Sequence, residues 1–506
     1  MKLIVENFGA IKKIEIDLSK KIYLFVGYNN TGKTYLSNLL YSIFDQETLK
    51  DFSESDYNNS LPNSIENEIS LSENLITSLL NSFSQYLAEV IIPKSLKISK
   101  SHFIVKNLVI NFQYIESEIR KPTLSSGASI AIQKKNDNGL NEISIFSLIK
   151  DENSMLAKIK HKTNEEIYRE LPNDFFDNIP KNKFEKDINS VKQNVTKSLA
   201  HSVLNLLLQN KEKPFFLPAN RIFLLENADE LANQDYARKK EMAEIFMEAL
   251  ENKTLDKQAL RDLLAKKAES KHPEHIANLI ELIANLRKNK DENFVQNGTR
   301  FYDTLLKKMA TIMGGEIVME KPSPSSDWTE KFKMNTIEEE PINLYLASSS
   351  VNQLGTLFQY LKYWAKQQEN FLMIDEPEIN LHPQNQIQLI NLILEFATTN
   401  NNRLLLTTHS PLVAETINNY LILDKIKELE IEVSEEVKEI PYFNLNFDLN
   451  NDDIATYSFA KNGHFEQYDF KKYSLFFKTF NQEIGKIAEI KSILTDQIYY
   501  HQDKLN

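Results

Sequence analysis

The chain has 506 residues, 42% of them hydrophobic and 26% charged, with a formal net charge of −12; this length predicts two or three domains and a large buried core. The acidic balance argues against a dedicated nucleic-acid binder, whose affinity comes mostly from neutralising phosphates, and leaves direct nucleic-acid contact open only through a local basic patch. Lack of cysteine excludes disulfides, thiolate zinc sites and cysteine catalysis, and no run of roughly 18 apolar residues or signal-peptide core is seen, so a cytoplasmic protein without membrane contact is expected.

From the start of the chain, LIVENF, IKKIEIDL and IYLFV read as strands over residues 1–26. Gly27-Tyr28-Asn29-Asn30-Thr31-Gly32-Lys33-Thr34 follows, and then YLSNLLYSIF, whose apolar residues recur at helical spacing. This is a complete G-x-x-x-x-G-K-[ST] phosphate loop between a buried strand and a helix. Gly27 and Gly32 let backbone N–H groups turn toward the α- and β-phosphates, where the helix N-terminus adds partial positive charge. Lys33 reaches the β/γ oxygens and the Thr34 hydroxyl completes a Mg²⁺ shell. Gly27, Asn29, Asn30, Thr31, Gly32, Lys33, Thr34 and Tyr35 form the expected ATP-binding set.

Residues 50–72, rich in Ser, Asn, Asp and Glu, read as a loop, and 73–92 as a helix ending before Pro93. Short alternating stretches in 97–150 suggest an antiparallel sheet. Residues 183–210 return to helix, followed by PFFLPANRIF. Residues 226–298 carry Ala, Leu, Glu and Lys without clean heptads, and predict an insertion of two or three antiparallel helices. Most of its charge is expected on a solvated face, with a partner-docking surface as the alternative. His272 and His275 form an H-x-x-H there, but two histidines with Pro273 between them make a poor metal site.

Beyond residue 299, Gly314-Gly315 precedes the strand EIVME, KPSPSSDWTE is a loop, and 341–424 alternate helix and strand as an α/β lobe does. The expected domains are 1–225, an N-terminal ATPase lobe with an inserted helix and antiparallel sheet; 226–298, the helical insertion; 299–424, a C-terminal ATPase lobe; and 425–506, a β-hairpin around Asn462-Gly463 with a helical tail.

Three further motifs carry chemistry. In FLMIDEPEINLHP (371–383) an apolar strand delivers Asp375, a candidate Mg²⁺ ligand with Thr34, and Glu376, placed to polarise the attacking water. Adjacent strand residues point to opposite sides, which would separate these two roles. In RLLLTTHSP (403–411) a second apolar strand ends in His409, suited to contact the γ-phosphate and sense its loss. Ser348, Ser349 and Ser350 stand at a helix start, where hydroxyls cap the N-terminus and free N–H groups can face an anion. The expected catalytic residues are Lys33, Glu376 and His409.

Together these motifs resemble the ABC-type ATPase head, in the branch that includes the overcoming-lysogenization-defect (OLD) proteins alongside SMC and RecF. The resemblance covers residues 1–45 and 340–424 well and the rest loosely. It implies an α/β fold with a mixed sheet flanked by helices, an antiparallel β lobe and a helical insertion. It also implies ATP and Mg²⁺ as ligands, and a homo-oligomer, at least a head-to-tail dimer, in which Ser348–Ser350 close on ATP held by the other copy. Ser350 stands where the family has glycine, so slow hydrolysis is one expectation. Asn7-Phe8-Gly9 and Leu217-Pro218-Ala219-Asn220-Arg221 also look like this branch. They make Arg221 a candidate for phosphate or cross-protomer contact, with a structural ion pair as the alternative. Asn380 matches the start of the family's dimer-contacting loop, and His382 is expected to fix a turn.

The long stretch from Lys33 to Ser348 disfavours a transporter ATPase, and residues 410–506 are too short for the nuclease domain of an OLD protein. What remains resembles stand-alone ATPases of bacterial anti-phage systems, PARIS-like or Septu-like. That resemblance implies a sensor and scaffold working with a separately encoded effector, a nuclease. The alternatives are a DNA-repair or recombination ATPase that binds DNA directly, and a nucleotide switch with little turnover.

Overall fold

The computed structural model describes residues 1–58, 73–113, 213–251, 272–336 and 340–440, most of 200–208 and 443–467, short strands between 68 and 161, and residue 490. Two compact units emerge: Met1–Ser19 with Asn38–Lys213, and Lys20–Ser37 with Pro214–Asn506.

In the first unit, strand Lys2–Phe8 lies between Ile11–Asp17 and Val109–Gln113, antiparallel to both. The turn from Phe8 to Ile11 uses left-handed backbone at Asn7 and Gly9, a conformation open to Asn and Gly. Two corrections arise here. The loop expected from residue 50 begins later, because Asp45 accepts from Thr48 N at 2.9 Å and caps a helix, Gln46–Glu54, that buries Leu49 and Phe52. Residues 59–67 and 71–72 of that expected loop lie outside the described residues, and Glu68–Ser70 between them is a short strand paired with Lys158–Lys160. Nor does the next helix stop before Pro93. Glu73–Tyr86 passes into a π turn, Leu87–Ile91, and a further helical turn, Ile92–Ser95. Ile92 N bonds back to Leu87 O, and Pro93, lacking an N–H, sits at the start of the last turn where none is needed. The stretch Asn74–Ser95 is long and apolar enough for a membrane crossing, but half of its most apolar window is buried inside the protein, with Phe83 stacked on Phe112 at 5.8 Å. Of the antiparallel sheet expected in 97–150, residues 97–108 form turns instead of strand, and the described strands are Val109–Gln113 and two small ladders, Ser129–Ala131 with Glu142–Ser144 and Phe146–Lys150 with Ala157–His161. The helix expected from 183 is described only within 200–208.

The second unit is α/β. Five strands run parallel in the order Phe215–Leu217, Phe371–Asp375, Arg403–Thr408, Ile22–Gly27 and Ile454–Phe459, and Phe465–Gln467 pairs antiparallel at the edge. The central strands are buried almost throughout, which is why they read as continuous apolar runs rather than alternation. The core joins Leu24, Ile374 and Leu406 of the sheet to Leu225, Leu279, Leu357, Ile393 and Ile417 of surrounding helices.

The four-segment division differs from this packing. Helix Arg221–Glu251 runs unbroken past residue 225. Leu224, Leu225, Ala228, Leu279, Ile280 and Ile283 belong to the main core, so the described parts of 226–298 are built into this unit as well as solvated. Residues 252–271 lie outside the described residues. The hairpin at the C-terminal side is not separate from the main sheet either, since Ile454–Phe459 is its fifth parallel strand. The helical tail falls almost wholly outside the described residues.

Candidate active site

Strand register brings the site together. Asp375 lies beside Thr407, and Thr408 beside Val26, so the segments after Gly27, Asp375 and Thr408 emerge side by side. They do so at the carboxyl ends of the strands, where open α/β sheets bind ligands.

Gly27 has φ 146°, and a Cβ there would stand 2.3 Å from the Phe459 carbonyl oxygen, so both backbone and space demand glycine. Asn30 at φ 63° and Gly32 at φ 96° turn the loop, and Thr31 Oγ1 donates to Tyr28 O at 2.8 Å. Asn29, Asn30 and Thr34 are exposed, and Tyr35 is half-buried. Helix Lys33–Phe44 begins inside the loop, and its first N–H groups have no partner within the helix. Lys33 is buried, with Nζ donating to Tyr28 O at 2.6 Å and Gly27 O at 3.1 Å. Burial lowers its pKa to about 8, against the opposing pull of Glu376, Asp375 and Glu378.

Asp375 ends its strand, accepting from the Thr407 hydroxyl and from Thr34 Oγ1 at 3.2 Å. Burial pushes its pKa up while the Thr407 and Thr34 bonds oppose the rise. A hydroxyl and a carboxylate this close offer the all-oxygen donor set that Mg²⁺ takes, so Thr34 and Asp375 fit that ion. Bound there, it would supply charge neutralisation beside a phosphoryl group.

Glu376 turns away from Asp375 for a reason other than strand alternation. The strand stops at Asp375, and Glu376 adopts φ 49°, a left-handed conformation that costs a non-glycine residue about 1–3 kcal/mol and concentrates at functional sites. Its Oε1 lies 2.8 Å from His409 Nε2. The hydrogen bond from His409 does most to hold the Glu376 carboxyl below its ordinary pKa, with burial opposing. His409 Nδ1 is 2.6 Å from Gly27 O. The imidazole therefore spans the phosphate loop and the carboxylate, a link that motif spacing does not reveal.

Arg221 requires a correction. It is 2% exposed, and its guanidinium donates to the backbone carbonyls of Gln353, Pro218, Asp375, Glu376 and Pro377 at 2.9–3.4 Å. Turned so that its oxygen faces the guanidinium, the Gln353 amide also accepts from Nη2 at 2.7 Å. Neither the phosphate or cross-protomer contact nor the ion pair describes this residue. It clamps the Asp375–Pro377 turn to the helix that follows Ser348. Burial lowers its pKa to about 10, opposed by Asp375, Glu378 and Glu376.

Ser348 caps helix Ser349–Gln359, accepting from Val351 N at 3.4 Å, and its hydroxyl lies 2.8 Å from that of Ser350. Ser348 and Ser349 are exposed. Asn380 is exposed at φ 63°, and His382 caps helix Pro383–Thr398 by accepting from Gln384 N. His275 is buried edge-on against Phe216, and burial lowers its pKa to about 3. Sequence reasoning passed over Glu378, Gln353 and Thr407. The second acid of D-E-P-E and the paired threonines before His409 were the available signals.

The family model described as AAA ATPase domain matches residues 1–414. No curated protein matches the chain. Among solved structures, the Smc head domain from Pyrococcus furiosus, with an extended coiled coil and bound to the C-terminal domain of ScpA, is similar at 12% identity. That match covers 96% of this chain and 98% of that one, with a TM-score of 0.36. A second Smc head, bound to the C-winged helix domain of ScpA, is similar at 10% identity over 92% and 96% of the two chains, with a TM-score of 0.35.

Proposed function

The chain belongs to the AAA ATPase domain family, and we propose that it hydrolyses Mg²⁺–ATP, assembles head to tail with a second copy, and acts as sensor and scaffold for a separately encoded nuclease in anti-phage defence. The observation that carries the hydrolytic part is the convergence of Lys33, Thr34, Asp375, Glu376 and His409 at one rim of the sheet. Lys33 and the loop N–H groups hold the β- and γ-phosphates. The Glu376 carboxylate takes a proton from the water that attacks the γ-phosphorus, and ADP leaves. Exposed Ser348 and Ser349 at a helix start support contact with ATP held by the other copy. The net charge of −12 and exposed Phe223 and Tyr236 on helix Arg221–Glu251 support a protein partner over DNA.

Turnover and assembly mass, measured with and without duplex DNA and with neighbouring gene products co-expressed, test this reading. DNA-independent turnover, mass doubling with ATP and co-purification of a neighbour are expected. Turnover raised several-fold by DNA, and lost with salt, would replace it with the DNA-repair reading. ATP binding without turnover would replace it with a switch.

Lys33 adds a pH signature. With a pKa near 8 in the free site, it loses its proton above that pH, and phosphate contact draws the proton back. Calorimetry in buffers of different ionisation heat should show uptake approaching one proton on ATP binding at about pH 9 and little at about pH 7.5. Affinity should weaken over that interval by up to about tenfold per pH unit. Proton-neutral binding at both pH values would contradict the burial of this lysine.

A further inference from the structure

Hydrolysis as described leaves one buried carboxylate at this rim without a task. Glu378 is 9% exposed. Its Oε1 accepts from Thr408 Oγ1 at 2.6 Å, His409 N at 3.0 Å and Ser410 N at 3.2 Å. All three donors come from consecutive residues that leave strand Arg403–Thr408 and enter helix Pro411–Glu428. Oε2 is buried with no hydrogen-bond partner among the described residues. An unpaired buried polar atom is costly, so core stability alone does not explain a carboxylate here. Its placement does. Two residues earlier in the chain, Glu376 meets the His409 side chain, while Glu378 meets the His409 backbone. One short turn thus grips this histidine at both ends.

We infer that Glu378 is a positioning residue. By fixing the Thr408 side chain and the backbone of 409–410, it holds the His409 imidazole where it can span Gly27 O and the Glu376 carboxylate. The inference rests on the hydrolytic reading above and adds the group that sets the geometry of its histidine. The bound oxygen accomplishes this as a hydrogen-bond acceptor. Glutamine can therefore substitute for it in part and alanine cannot. Loosening the segment misplaces His409 by a fraction of a turn, and misplacements of about 1 Å can cost up to about 10²-fold in rate.

The test compares the full-length wild type with Glu378→Ala, Glu378→Gln, His409→Ala and the double variant Glu378→Ala/His409→Ala. Turnover and ATP affinity are measured separately for each. Glu378→Ala should lower kcat by about ten- to a hundredfold with ATP affinity within threefold, and Glu378→Gln should recover most of that loss. Because Glu378 acts through His409, the double variant should be no slower than His409→Ala alone, a non-additivity that independent roles do not produce. Multiplying losses, or a Glu378→Ala enzyme with wild-type kcat, overturns the inference. If Glu378→Ala does not fold, Thr408→Val, which deletes one of the three donors, takes its place in the same cycle with the same criteria. A wild type that binds ATP without turnover would instead overturn the hydrolytic reading beneath it.

Discussion

Under the proposed hydrolysis, Glu376→Gln should remove turnover and leave ATP in place. Glutamine keeps the shape of the side chain and an oxygen for His409 Nε2, which lies 2.8 Å from the native carboxylate, but it no longer takes a proton from water. A positioned general base contributes about 10²–10⁴-fold, so phosphate release should fall at least about a hundredfold while ATP affinity stays within a few-fold. If the assembly opens only after hydrolysis, the variant should also accumulate ATP-bound dimers, visible as doubled mass at low ATP. The His409 hydrogen bond holds Glu376 below the ordinary carboxyl pKa, so the carboxylate proposed as base is ionised throughout the neutral range. Above that depressed pKa its contribution is complete, and it fades only as pH falls through it. A Glu376→Gln enzyme retaining more than a tenth of the wild-type rate would mean that another group activates water.

Those parts of the site carried by one continuous segment could be read from residues alone. The phosphate loop needs glycines at fixed offsets because Gly27 and Gly32 adopt positive φ. The strands that end in Asp375 and, one residue before His409, in Thr408 are buried on both faces and therefore read as unbroken apolar runs. Properties that depend on long-range pairing were not readable in this way. Arg221 finds acceptors at Gln353 and Asp375, far along the chain, and an isolated Arg after Pro218-Ala219-Asn220 does not announce that its donors face carbonyls rather than phosphate. Ile454–Phe459 pairs with Ile22–Gly27, two segments from opposite ends of the described chain, so composition placed it in a separate C-terminal segment. Glu376 shows the limit most clearly. Alternation along a strand and a left-handed turn at its end both separate adjacent carboxylates, and only the backbone angle distinguishes them.

Arg221→Met should produce the largest loss of stability. Five carbonyl oxygens accept from this guanidinium, and methionine, though similar in length, leaves them facing an apolar side chain. Each buried acceptor left unsatisfied costs about 1–3 kcal/mol, so the loss should exceed that of an ordinary substitution, to be read from denaturant unfolding. The substitution also removes one of the charges that keep the Glu376 pKa low. The Glu376 pKa rises as a result, and the acid limb of the pH–rate profile moves to higher pH in whatever protein still folds. Arg221→Lys separates the two effects. An ammonium keeps the charge but cannot reproduce a planar fork reaching carbonyls on both the Asp375–Pro377 turn and the helix after Ser348. It should therefore lose much of the stability while leaving the acid limb near its wild-type position. If Arg221→Met unfolds within about 1 kcal/mol of wild type, the range of an ordinary substitution, the clamp does not hold the turn. The position of Asp375 and Glu376 would then depend on the strand ladder, the Thr407 and Thr34 contacts and the Glu376–His409 pair.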